Sequence, residues 1–440
     1  MAVKVCKFGG TSMADGNVMS RVRNIIESDK DRKYVVVSAP GKRYSGDVKI
    51  TDILYQCHRE VEERGACGAS FELIRNRFNS IVRELNIDFD INSVLDETER
   101  RINAEKDEDF TASRGEYLSA RVMAEVLGAK FIDAEDVIFF DKNGAYDAAK
   151  SDKAINDALR GAEKAVFPGF YGRGYNGKVK TFSRGGSDIS GAIVARAVNA
   201  TVYENWTDVS GFLACDPRIV DSPRRIKALS YKELRELSYM GANVLHSESI
   251  FPVRKANIPI HIKNTFRPED EGTLIQPSVY YTPSGSIVTG IAGKKDFTVI
   301  FIEKSLMNYQ IGFVRKVLSV LEKYNVPVEH IPSGIDTMSV VIESSALKDG
   351  KLELILQGIK EAVAPDVLRV NEDIALIATV GHGMSSSVGT SARLFKAMAE
   401  ASVNVRMIDQ GSSELNIIVG VKNEDCEKCI RAIYREFFGN

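Results

Sequence analysis

From the start of the chain to about Gln276, short continuous apolar runs alternate with longer stretches in which apolar residues recur at helical spacing. Val3 to Val5, Tyr34 to Val37 and Val166 to Tyr171 read as strands, the last two ending in serine or glycine, and Ile189 to Ala200 reads as a helix. This alternation predicts an α/β domain on a mainly parallel sheet. In such sheets ligands gather outside the carboxyl ends of the strands, where Lys7, Ser38 and Gly169 fall. The stretch from about Glu60 to Asp109 is charged with helical period and predicts a helical lobe with a solvated face.

From about Ile287 the pattern changes to short alternating strands and amphipathic helices, and it repeats. A spacing of 77 residues pairs Gly312 with Gly389, Leu321 with Met398, Val326 with Val403, Val328 with Val405, Ile331 with Ile408, Gly334 with Gly411 and Val340 with Ile417. Each copy reads strand, glycine, helix, Val-x-Val strand, glycine turn, strand, the β-α-β-β-α-β plan of a ferredoxin-like unit. Three domains are expected, at 1–285, 286–370 and 371–440.

Composition narrows the class. With 440 residues at 44% hydrophobic content the chain can bury several cores. Lys and Arg number 58 against 60 Asp and Glu, so no net field invites nucleic acid or an anionic membrane. No apolar run approaches the roughly 20 residues of a membrane span, and no signal-peptide core is present, so the cytoplasm is the expected compartment. Cys426 and Cys429 form the one close cysteine pair, on a helical stretch without histidines nearby, which argues against zinc. Gly172-x-Gly174-x-x-Gly177 has dinucleotide-fingerprint spacing, but Lys178 to Phe182 continues as strand where the fingerprint requires a helix.

Two segments carry the chemistry of an anion site. The first strand runs into Lys7-Phe8-Gly9-Gly10-Thr11-Ser12, where glycines let the backbone approach an anion and Lys7 adds charge. The second, Arg184-Gly185-Gly186-Ser187-Asp188, opens a helix that Ser187 or Asp188 can cap, with Arg184 able to grip a carboxylate or phosphate through two bonds. Tyr203 to Gly211 follows, containing the chain's one tryptophan, Trp206, which reads as core.

These segments, with Ser113-Arg114-Gly115-Glu116, Trp206-Thr207-Asp208-Val209, Asp216-Pro217-Arg218 and Gly241-Ala242-Asn243-Val244-Leu245-His246, resemble in this order the aspartate kinases of the amino-acid kinase superfamily. The resemblance runs essentially the length of the chain. It implies an amino-acid kinase-like sandwich domain on a mainly parallel sheet, followed by two α+β ACT domains. It also implies phosphorylation of the β-carboxylate of L-aspartate by ATP with Mg2+. Lys7 would bridge the transferring phosphate, cradled by the N–H groups of Gly9 and Gly10. Arg184 would hold the substrate α-carboxylate, with Glu116, Thr51 and Ser38 around the amino acid. Thr207, Asp208 and Arg218 would bind the nucleotide, and Asp188 would hold magnesium through water or meet the substrate amino group. Two positions depart from the family pattern: Asn243 replaces a lysine and Leu213 a tyrosine, both beside the nucleotide.

ACT domains bind amino-acid effectors and pair into homodimers or homotetramers. Met307, Tyr309, Gly312, Glu329 and Gly334 of the first copy would form an effector site for lysine, with threonine as a second candidate effector and Glu329 countering the effector ammonium. The sequence ends as the second copy closes, so a monofunctional enzyme is expected. The competing expectations are another kinase of the superfamily, and an amino-acid sensor that has lost catalysis. Lys7 and Arg184, both present, weigh against the sensor.

Overall fold

A computed structural model describes residues 2–183, 185–241, 245, 249–277 and 286–439. The chain divides into two compact units. Unit 1 comprises Met1–Phe212, Lys227–Leu234 and Asn243–Thr282, and unit 2 comprises Leu213–Ile226, Arg235–Ala242 and Pro283–Asn440.

The elements run in chain order as β1 (Lys4–Phe8), α1 (Gly16–Glu27), β2 (Arg32–Val37), α2 (Ile50–Arg64), α3 (Gly68–Leu85), α4 (Ile91–Glu105), α5 (Glu108–Leu127), β3 (Lys130–Phe131), α6 (Ala134–Val137), α7 (Ala148–Ala158), β4 (Ala165–Pro168), β5 (Tyr171–Arg173), β6 (Val179–Thr181), α8 (Gly186–Ala197), β7 (Val202–Thr207), β8 (Ala228–Ser230), α9 (Tyr231–Tyr239), α10 (Phe251–Lys255), β9 (Ile260–Asn264) and β10 (Thr273–Gln276). Unit 1 is built on an eight-stranded sheet of order β3-β4-β2-β1-β7-β9-β10-β8. Every pairing in it is parallel except β9 with β10. The apolar runs at Val35–Val37 and Val166–Phe167 are buried on both faces, as strands inside a parallel sheet must be. The would-be dinucleotide fingerprint is instead the turn of the antiparallel β5–β6 pair, with Gly177 at φ 80°.

Helices α2 to α5 form the expected lobe, but they are more than a solvated face. Phe71, Ile74, Phe78, Leu95, Ile102 and Phe110 are buried in it, so the charged residues cover an apolar stripe.

In unit 2 the elements continue as β11 (Gly290–Glu303), α11 (Phe313–Lys323), β12 (Thr337–Glu343), α12 (Lys351–Val363), β13 (Val367–Val380), α13 (Thr390–Glu400), β14 (Met407–Asp409), β15 (Asn416–Lys422) and α14 (Cys426–Phe438). They build one antiparallel sheet of order β12-β11-β13-β15-β14. The repeat is physical: α11 and α13 begin and end 77 residues apart, each entered at a left-handed glycine, Gly312 at φ 80° and Gly389 at φ 87°. Past the helices the spacing changes. Ile300 pairs with Val340 and Ile377 with Val419, so the equivalent of Val340 is Val419, not Ile417, and the second copy carries two extra residues in its glycine turn.

Each of the long strands β11 and β13 serves both copies. Residues 297–303 pair with β12 and with 367–374, while 290–294 pair with 376–380. The strand completing the second copy therefore lies upstream of the first copy in sequence. Met307, Phe313, Val317, Leu321, Ile355 and Ile359 form the core of the first copy under its two helices. Cys426 and Cys429 are free thiols buried along α14.

Candidate active site

The parallel register of β1 and β7 decides which side chains meet. Lys7 lies opposite Asn205, and Cys6 and Phe8 lie opposite Glu204 and Trp206. Side chains alternate across a strand, so Lys7 and Asn205 share one face and the aromatic pair shares the other. On the first face Lys7, 7% exposed, donates to Asp188 Oδ1 at 2.6 Å. The Asn205 amide nitrogen donates to the same oxygen at 2.8 Å, and the Tyr203 hydroxyl donates to the Asp188 carbonyl at 3.1 Å. Asp188 is in the first turn of α8, which packs on β1, β2 and β7.

On the second face Trp206 stacks on Phe8, centroids 5.9 Å apart, and its indole N–H donates to Glu204 at 2.9 Å. Arg32 Nε donates to Glu204 at 2.8 Å. The tryptophan is a core residue, as its composition-based reading holds.

The loop after β1 departs from expectation in one respect. The Gly9 N–H donates to the Trp206 carbonyl at 3.1 Å, extending the strand ladder, so it is not free to bind phosphate. The Gly10 N–H has no backbone partner among the described residues. Close approach explains the glycines here: a Cβ on Gly41 would lie 2.7 Å from the Gly10 carbonyl carbon. The capping expectation also changes. Gly185 is the N-cap of α8, at φ 57°, with no side-chain cap, and the Asp188 carboxylate is used on Lys7 instead.

Glu116, in the middle of α5, completes this side of the site. It is 5% exposed, accepts from the Ala39 backbone, and leaves Oε2 without a partner among the described residues. Burial pushes its carboxyl up to about 8, partly offset by the Ala39 hydrogen bond and by the charges of Arg114 and Lys7. At Gly115 a Cβ would lie 2.6 Å from that of Ala39, so the absent side chain lets α5 close on the loop after β2. Ser38 stands at the end of β2, its N–H on the Phe8 carbonyl at 3.1 Å, and Thr51 is in the first turn of α2, whose Ile50 N–H donates to the Pro40 carbonyl at 3.2 Å.

Thr207 and Asp208 follow at the end of β7, the Thr207 hydroxyl on Asp208 at 3.2 Å, with Asn264 donating to the Asp208 carbonyl. The structure thus gathers Lys7, Gly9, Gly10, Ser38, Thr51, Glu116, Asp188, Thr207 and Asp208 in unit 1, at strand ends or on the helices packed there. Arg218 belongs to unit 2, exposed and paired with Asp216 at 2.6 Å. Arg184 and Asn243 lie outside the described residues. Asn205 was missed from the sequence, and its signal was the period of two that places it beside Lys7. No group of three or more His, Cys, Asp or Glu arranged to hold a metal occurs among the described residues.

In unit 2 the expected effector residues have distinct settings. Met307 packs into the core, so only its backbone faces outward, whereas Tyr309 is exposed and Gly312 caps α11. Glu329 accepts from the Tyr239 hydroxyl. The neighbouring His330 joins the two copies through Asp409, at 2.7 Å. Gly334 is in the turn before β12, its N–H on the Thr337 carbonyl at 2.7 Å.

A lysine and an acid at the ends of parallel strands, beside a glycine loop and a buried carboxylate, define a phosphotransferase acting on a small charged acceptor. The amino acid kinase family matches residues 2–264, and an ACT domain matches 377–437. Aspartokinase 3 of Bacillus subtilis is 38% identical over 99% of both chains. The aspartate kinase structure from Clostridium acetobutylicum is 51% identical, covers all of both chains and has a TM-score of 0.91. E. coli aspartokinase III, 26% identical, matches over 99% of this chain in two structures: with aspartate and ADP (TM-score 0.76, all of that chain) and with lysine and aspartate (TM-score 0.71, 99% of that chain). The chain belongs to the aspartokinases of the amino acid kinase family. Among its described residues no helix is long and apolar enough to cross a membrane.

Proposed function

We propose that the chain transfers the γ-phosphoryl group of ATP to the β-carboxylate of L-aspartate, giving 4-phospho-L-aspartate, and that lysine inhibits it through the first ACT copy, with threonine as a second candidate effector. The observation that carries the catalytic half is the buried pair of opposite character: Lys7 held on Asp188, and Glu116 with an oxygen left unpartnered among the described residues. The acceptor carboxylate is already ionised at neutral pH, its ordinary pKa being about 3.9, so no general base is needed. What the site supplies is positive charge and alignment.

Lys7 turns from Asp188 to the transferring phosphate, and the Gly10 N–H donates to it. Glu116 receives the substrate ammonium, Arg184 its α-carboxylate, and Ser38 and Thr51 flank it. Thr207 and Asp208 hold the nucleotide. Magnesium is held mainly by nucleotide phosphates in such sites, and a single nearby carboxylate, Asp188, suits that demand. When bound, it neutralises charge developing on the phosphates.

In unit 2 we assign 296–373 to one ACT unit, inserted in a second made from 286–295 and 374–440, on the strength of the strand pairing. An effector ammonium at Glu329 would compete with the Tyr239 hydroxyl, with the backbone at 307–312 and 334 beside it. Pairing of ACT sheets would give a homodimer or homotetramer. The lysine-bound state of E. coli aspartokinase III supports the choice of effector. The test is ADP release with MgATP over aspartate, glutamate, N-acetylglutamate and UMP, each with and without lysine or threonine. Turnover on aspartate that falls with lysine is expected, and turnover on another acceptor alone would overturn the substrate assignment.

A further inference from the structure

The helical lobe of unit 1 contains a cavity of about 230 Å³ between α4 and α5, separate from the groups assigned above. Arg114, Tyr117 and Arg121 line it from one face of α5, at i, i+3 and i+7, and Arg101 lines it from α4.

Arg114 is the unusual member, with 1% of its surface exposed. Its Nε donates to the Phe110 carbonyl at 3.2 Å and to Ser113 Oγ at 3.1 Å, and Nη2 donates to Ser113 Oγ at 2.8 Å. The rings of Phe110, Tyr117 and Tyr171 surround the guanidinium at 4.3, 4.7 and 5.0 Å, which fixes its plane. Among the described residues its Nη1 has no hydrogen-bond partner, and no carboxylate lies within 4 Å. A guanidinium stays charged in proteins, and a buried charge without a direct ion pair is costly; the carboxyls of Glu116 and Glu135 feel the charge of Arg114, but neither pairs with it.

Arg121 is in the same condition. Its polar contact is the Tyr117 hydroxyl at 3.4 Å, and it rests on the ring of Phe131 at 5.2 Å. Arg101 pairs with Glu105 at 2.7 Å. The one acidic residue in the lining, Glu97, is held by Arg100 at 2.6 Å. The cavity therefore presents more positive charge than its walls neutralise.

We propose that this cavity binds a small doubly charged oxyanion, a phosphate or a dicarboxylate, through the guanidiniums of Arg114, Arg121 and Arg101 and the hydroxyl of Tyr117. The ring walls orient the forks, and the anion supplies the direct ion pair that Arg114 and Arg121 lack. Because α5 also carries Glu116, an occupant would rest on the helix that presents that carboxylate.

The experiment is isothermal titration of the full-length Lys7→Met chain, in which the phosphate cradle has lost its lysine, with inorganic phosphate and separately with succinate at low ionic strength. Saturable one-to-one binding, weakened at least tenfold by Arg121→Gln in the same background, is the expected result, and the tighter anion identifies the class. Arg121 is half-buried and its loss leaves the packing around Arg114 in place, so that variant should fold. Arg101→Gln is the second variant, expected to weaken binding less because its guanidinium is already paired. Absence of saturable heat with both anions, or binding unchanged by both substitutions, would overturn the proposal.

Discussion

If Glu116 receives the substrate ammonium as proposed, aspartate binding should depend on pH. With its carboxyl pushed up to about 8 by burial, the substrate-free protein holds Glu116 mostly neutral at pH 7. Binding of the substrate ammonium requires the ionised form. About one molecule in a hundred has it at pH 6, about one in ten at pH 7 and about half at pH 8, and apparent affinity scales with that fraction. The KM for aspartate should therefore fall about tenfold from pH 6 to 7, about fivefold from 7 to 8, and then level off. One pH unit corresponds to about 1.4 kcal/mol of binding free energy.

The assay is steady-state ADP release at saturating MgATP across this range. Glu116→Gln fixes the neutral form, so its KM should be about as high as that of the parent at pH 6 and should not change with pH by this route. The variant also separates Glu116 from any titration of the nucleotide. A KM in the parent that is flat between pH 6 and 8, or a slope that survives in Glu116→Gln, would refute the reasoning. Stability carries the opposite sign. The pKa is raised from 4.5, so the contribution of Glu116 to the substrate-free fold is complete below about pH 4.5 and is lost as pH rises toward 8. Glu116→Gln should lack that decline in thermal melts.

Four further outcomes are expected. Lys7→Ala should lower kcat by about a thousandfold or more with the circular dichroism spectrum unchanged, because the charge on the transferring phosphate is lost; retention of most activity would reassign the first loop. Asn205→Ala removes a donor from Asp188 and should lower kcat about tenfold, with KM little changed, when both are measured for aspartate. Gly41→Ala places a Cβ against unyielding Gly10 backbone and should raise the KM for ATP and lower Tm, at a cost of about 1 to 3 kcal/mol. Glu329→Ala should leave basal turnover near that of the parent and abolish lysine inhibition, read as an inhibition curve; full inhibition in the variant would move the effector site elsewhere.

What the sequence made legible depended on how local the signal was. Strands β2 and β4 were readable because burial on both faces writes them as unbroken apolar runs. The repeat was readable because each copy spends a glycine at φ near 80° to enter its helix, and α11 and α13 keep the 77-residue spacing end to end. The two-residue slip at Val419 was not readable, since residues added in a turn leave the alternation on either side intact. Nor was the shared strand: 290–294 pairs with 376–380 across the whole first copy, and nothing in either segment names its partner. Asn205 was hidden for the same reason, being one polar residue in a strand until the register set it beside Lys7.

The misreadings at the site share a cause, and it bears on mechanism. Each polar group was assigned directly to a ligand or a helix end, whereas the free protein has already given several of them internal partners. Asp188 was read as a helix cap and its carboxylate is instead occupied by Lys7 and Asn205; the Gly9 N–H was read as a phosphate donor and is spent on Trp206. An isolated charge in this buried setting would be costly, so the site keeps its charges matched until substrates arrive: Lys7 by Asp188, Glu116 by a proton. In the proposed mechanism binding then exchanges partners, phosphate for Asp188 on Lys7 and ammonium for the proton on Glu116. Of these two exchanges the second releases a proton to solution, so aspartate binding should be accompanied by proton uptake into buffer. Calorimetric titration in buffers of different ionisation enthalpy measures it: close to one proton per aspartate at pH 7 is the expected count, falling toward zero above pH 9 and in Glu116→Gln, and a count near zero at pH 7 in the parent would mean that Glu116 does not meet the ammonium.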